Sequence, residues 1–175
     1  AVFLCVTASW AVAQTHVTPP NNKYTPAQDV ELGQQAAKEV EQQLPLLQDD
    51  GIESFVDRIG RRLVQVMPPE MEHREFRYSF KVVNVREINA FALPGGPMYI
   101  NRGMIQAAAV EGEVAGVMAH ELSHVILRHG TAGATKQQPF EIGAMAGAIA
   151  GAIIGGDLGQ VVAQGTEFGL GTYFL

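Results

Sequence analysis

Val114 to Leu127 reads as one amphipathic helix whose apolar side carries Val114, Val117, Met118, Leu122, Val125 and Ile126. His120, Glu121 and His124 interrupt a face that aliphatic residues could have filled, so the fold must bury this helix and still accommodate three polar groups on it. Positions i and i+4 lie about 40° apart around a helix, so both imidazoles can present a ring nitrogen to one metal ion. Glu121 lies on the adjoining flank, where it can take a proton from water activated by the metal without occupying a coordination position. With five His in 175 residues, chance would produce the pattern about 0.01 times. The stronger rival is a structural helix whose histidines hydrogen-bond within a core.

Three ordered blocks surround this motif. They are Asn89-Ala90-Phe91-Ala92-Leu93-Pro94-Gly95-Gly96, Tyr99-Ile100-Asn101-Arg102-Gly103-Met104-Ile105, and His120-Glu121-Leu122-Ser123-His124-Val125 followed by Arg128-His129. Together they resemble the HtpX/BepA group of zinc metalloendopeptidases, in the gluzincin class, from about Tyr24 to the C-terminus. The resemblance implies a zincin-like α+β fold, mainly helical, with a small three-stranded sheet beside the His-Glu-x-x-His helix. It also implies peptide-bond hydrolysis with one Zn2+ per chain, His120 and His124 as metal ligands and Glu121 as the catalytic base. Asn89 and Ala90 would lie on an edge strand that pairs with extended substrate.

A catalytic zinc normally takes three protein ligands and a water. In the family the third is a glutamate of a later Glu-x-x-x-Asp motif, expected here beyond Leu175. Continued helix geometry would put His129 half a turn away from His120, facing away from the metal. Its expected role is instead to close the helix end with Arg128, the αL cap falling on Gly130. Glu141, Asp157 and Glu167 have no family counterpart as ligands, and Glu141 and Glu167 read as surface carboxylates.

Residues 1–13 are apolar and finish in Ala11-Val12-Ala13, the mark of a signal-peptide remnant. They are fewer than the about 20 residues that span a bilayer. Cys5 is the sole cysteine, so an exported mature chain would carry no thiol. Residues 14–24 read as a linker and 25–175 as the N-terminal part of a catalytic domain. A formal charge of -6, without a Lys/Arg cluster, argues against nucleic acid.

Within that domain, Thr25-Pro26-Ala27-Gln28 provides a capping box and an N1 proline for a helix to about Gln43. Ile52, Phe55, Val56, Ile59, Leu63 and Val66 form the apolar stripe of a second helix, ended by Pro68-Pro69. Phe76 to Val85, Glu87 to Leu93 and Met98 to Asn101 read as strands, the last two joined by a turn at Pro94-Gly95-Gly96-Pro97. Residues 142–156 place glycines 143, 147, 151 and 155 along one helix side. The pattern suits a closely packed or gating helix, with membrane contact as the alternative.

The sequence thus points to an exported, periplasmic zinc metalloendopeptidase that acts on unfolded or misassembled envelope proteins. The alternative is a non-catalytic, chaperone-like module in which the edge strand captures unfolded chains.

Overall fold

The computed structural model describes residues 17–136 and 142–154. The expected signal-peptide remnant, Cys5, Glu141, Asp157 and Glu167 lie outside the described residues. Helix α1 (Pro26–Gln43) opens with the expected capping box, in which Thr25 and Gln28 satisfy each other's backbone amides. Helix α2 (Asp50–Gln65) is capped by the Asp49 carboxylate. After a short 3-10 turn (Pro69–Met71) come β1 (Ser79–Val83), β2 (Ala90–Ala92), β3 (Pro97–Asn101), α3 (Arg102–Ala107), α4 (Glu111–Ile126), α5 (His129–Lys136) and α6 (Ile142–Ile154). The chain is mostly helical around one small mixed sheet, an α+β arrangement.

The sheet order is β1-β3-β2. β1 runs parallel to β3, pairing Phe80 with Met98, and β2 runs antiparallel to β3, pairing Phe91 with Tyr99. Alternation divides the side chains between two cores. Val83, Phe91 and Tyr99 face α1 and α6, where Leu32, Ala36, Val40, Met145, Ala146 and Ile149 are buried. Phe80, Val82, Met98 and Ile100 face α2 and α4, against Val56, Ile59, Val114, Met118 and Leu122. Helices therefore cover both faces, and β2 forms one edge of the sheet.

Two strands are shorter than their sequence pattern. Phe76 donates its amide to His73 in a turn, so the first strand begins only at Ser79. Between Val85 and Asn89 the chain detours to receive α3: Gly103 donates to the Val85 carbonyl, and a Cβ at Gly103 would lie 2.0 Å from the Arg86 oxygen. Strand β2 consequently holds just Ala90–Ala92. Helix α6 buries Met145, Ala146, Ile149 and Ala150 against α1, leaving its glycine side at the rim near Gln35 and Glu39. Among the described residues no helix is long and apolar enough to cross a membrane.

The β2–β3 turn rests on α1. Gly95 adopts φ 74°, and a Cβ at Gly33 would lie 1.7 Å from the Pro94 carbonyl oxygen. Gly33→Ala should therefore lower stability by about 1–3 kcal/mol, the usual range for overpacking. Gly116→Ala, where an added Cβ meets nothing within 4 Å, should raise it by about 0.5–1 kcal/mol. Urea denaturation of the two variants checks this, and shifts of the same sign would contradict the packing of the turn on α1.

Candidate metal and catalytic site

Val114, Val117, Met118, Leu122 and Val125 bury one side of α4, which turns His120 outward and leaves His124 half-buried at the surface. The two rings meet edge to face, with centroids 4.7 Å apart. Their Nε2 atoms converge to 3.1 Å. Two nitrogens on a tetrahedral zinc at about 2.0–2.1 Å would lie about 3.4 Å apart, so this pair already has nearly the spacing of two ligands to one ion. Among the described residues no group of three or more His, Cys, Asp or Glu could hold a metal. The described chain therefore fits two positions of a metal's protein ligand set.

Glu121, on the flank of α4 adjoining the two histidines, is buried in the contact between α4 and β2. It is 7% exposed, and its carboxylate accepts the backbone N–H of Ala92. Burial pushes its pKa up to about 7, and the Ala92 hydrogen bond only partly offsets this. Oε2 is buried with no hydrogen-bond partner among the described residues. An orphaned carboxylate oxygen beside two converging imidazoles, titrating near neutrality, has the properties of a general base. Burial, followed by the neighbouring His129 and His120, pushes His124 down to about 4, so its ring stays neutral as a metal ligand must.

His129 does not face away as helix continuation predicts. Helix α4 stops at Ile126, and Arg128 adopts φ 58°, a left-handed conformation uncommon outside glycine. The chain turns there and α5 starts at His129, whose Nδ1 lies 2.7 Å from Nδ1 of His124. The αL residue is thus Arg128 and not Gly130. The Arg128 side chain does not cap α4; it pairs with Asp29 at 2.5 Å. A recess lined by Ala92, Leu93, Pro94, His124 and His129 opens beside this group. Nothing local in the sequence announces the turn, because the partner that fixes it lies 99 positions away.

Ala90 sits at the start of β2 and Asn89 immediately before it. The Asn89 carbonyl accepts the Asn101 amide, so it is engaged within the sheet. Antiparallel alternation then directs the backbone groups of Ala90 and Ala92 outward. Of these, the Ala92 N–H is already taken by Glu121.

The model of Peptidase family M48 matches residues 53–170. The beta-barrel assembly-enhancing protease of Escherichia coli (strain K12) is 30% identical over 111 residues, covering 63% of this chain and 22% of that protein. The protein of the same name in Yersinia pestis is 30% identical over 115 residues, with the same coverage of 63% and 22%. The mitochondrial metalloendopeptidase OMA1 of Arabidopsis thaliana is 39% identical over 61 residues, covering 35% of this chain and 13% of that protein. The chain spans about a fifth of the length of the beta-barrel assembly-enhancing relatives.

Because burial raises the Glu121 carboxyl above its ordinary 4.5, the folded state holds that proton more tightly than the unfolded chain. The Glu121 contribution to the stability of the metal-free protein should thus fall as pH rises from about 4.5 through about 7, opposed below about 6.5 by His124, whose depressed pKa makes its own contribution grow with pH. Glu121→Gln removes this loss. Its advantage over the parent should be smallest near pH 4 and grow to about 1–3 kcal/mol by pH 8. Thermal unfolding across that range measures the difference, and a pH-independent gap would contradict the buried carboxyl.

Proposed function

Because the chain belongs to peptidase family M48, we propose that it forms the His-Glu-x-x-His part of a zincin-like zinc metalloendopeptidase. The observation that carries the reading is the convergence of the two imidazoles on α4 next to a buried carboxylate. Nε2 of His120 and His124 converge to 3.1 Å at the surface, while Glu121 turns inward with an unpartnered oxygen. His120 and His124 would hold the ion, one per chain, completed by a carboxylate from later sequence. When bound, zinc supplies a Lewis acid that acidifies water and polarises a carbonyl oxygen.

The chain's own residues supply the rest. Glu121 Oε2 takes the proton of the attacking water and delivers it to the leaving amine. The Ala92 N–H would help to orient the carboxylate. The outward N–H and C=O of Ala90 would pair with substrate backbone, so an extended chain is held beside Glu121 without its sequence being read. Such recognition suits unfolded or misassembled proteins. Together with the name of the relatives in Escherichia coli and Yersinia pestis, it supports envelope proteins as substrates and a periplasmic location.

Glu121→Gln in the full-length protein should keep zinc at the parent stoichiometry and lower hydrolysis of unfolded casein by at least about 10²-fold. Undiminished cleavage would rule Glu121 out as the base. Ala90→Pro deletes an outward donor that the β2–β3 ladder does not use. KM for casein should rise while zinc content and circular dichroism stay the same. An unchanged KM in a folded, zinc-loaded variant would return β2 to a purely structural part.

A further inference from the structure

The segment before the family match is fastened to the helix that follows the site. Asn22 donates its side-chain amide to Thr131 Oγ1 at 2.8 Å, and the Lys23 amide donates to Thr135 Oγ1 at 3.0 Å. The Arg128 guanidinium donates Nε to Asp29 Oδ2 at 2.5 Å, Nη2 to Asp29 Oδ1 at 3.2 Å, and Nη2 again to the Tyr24 carbonyl. Asp29 is 1% exposed and the Arg128 side chain 14% exposed. All these partners on the N-terminal side precede residue 53, where the match to Peptidase family M48 begins.

Two unfavourable features coincide at Arg128. A left-handed backbone is strained for any residue with a Cβ, and glycine would adopt it freely. A buried ion pair must also overcome the desolvation of both charges, so well-packed apolar side chains often serve stability equally well. Both features occur at the residue immediately before His129, whose Nδ1 reaches Nδ1 of His124. The second nitrogen of a ligating imidazole is ordinarily held by a carboxylate, a backbone carbonyl or water, and at His124 the ring of His129 occupies that place.

We propose that Asp29 and Arg128 are positioning residues: their ion pair sets the turn of the chain that holds His129 against Nδ1 of His124 and aims Nε2 of His124 toward His120. The inference rests on His124 as a metal ligand for its consequence, though the ring contact itself does not. The clasp makes α1 part of the site's outer frame. Glu41 provides a control on the same helix, since it anchors α1 to the sheet through Lys81 and Tyr99, both at 2.7 Å, without touching that turn.

The test compares Asp29→Asn, Arg128→Lys and Glu41→Gln in the full-length protein. Zinc affinity is measured by chelator competition, thermal midpoints are taken metal-free, and the His124–His129 ring contact is followed by nuclear Overhauser effects. Asp29→Asn should weaken zinc by about tenfold or more, the usual loss for an outer-shell partner. Arg128→Lys should recover part of that, and Glu41→Gln should leave affinity at the parent value even where its midpoint falls as far. Affinity that tracks the midpoint in all three variants, or stays at the parent value in Asp29→Asn, overturns the proposal. If the parent itself binds no zinc, the metal reading fails separately and the metal-free ring contact decides. Loss of that contact in Asp29→Asn with retention in Glu41→Gln supports the clasp, and retention in both overturns it.

Discussion

Glu121 is buried between α4 and β2, with the Ala92 amide only partly offsetting that burial, and the rest of the site is arranged around it. A carboxylate that is 7% exposed would ordinarily be an expensive thing to place between a helix and a strand. One backbone donor compensates it in part, but too little to return the carboxyl to its ordinary acidity. The rotation of α4 is set by its buried apolar side. With Glu121 turned toward β2 and Leu122 and Val125 buried, the helical period has to bring His120 and His124 to the surface together.

That geometry also sets the proposed peptide-pairing edge beside the proposed base. Outward backbone groups on an edge strand recur every second residue, at Ala90 and Ala92. The Ala92 amide faces Glu121, so a chain pairing at Ala90 would lie one strand repeat from that carboxylate. The hairpin that carries these residues is held from behind by Gly33 and Gly95, where α1 and the turn approach too closely for any Cβ. The distance between edge and helix is therefore set by packing on both faces of the sheet.

Features written in short-range spacing are legible in the sequence itself. The Thr25–Gln28 capping box, the α2 stripe and the i, i+4 histidines each depend on neighbours within a few helical turns, and each falls where the sequence places it except Val66, which follows the end of α2 and is exposed. The strands are legible in place and not in length, because α3 and the turn at Phe76 claim backbone groups that β-propensity alone would assign to the ladder. His129 is illegible for a sharper reason. Its orientation depends on Arg128 at φ 58°, a conformation that helical extrapolation does not anticipate and that is anchored to Asp29 on α1. The parallel pairing of β1 with β3 is likewise a tertiary choice with no signature in either strand.

The central claim is that α4 presents two imidazole nitrogens to one ion while withholding Glu121 from it. Anomalous diffraction at the zinc edge from crystals of the full-length protein tests this directly. The account predicts a single peak about 2.0–2.1 Å from Nε2 of both His120 and His124, with the Glu121 carboxylate outside bonding distance and still accepting the Ala92 amide. A zinc ion ligated directly by Glu121, or one bound away from these two nitrogens, would contradict it.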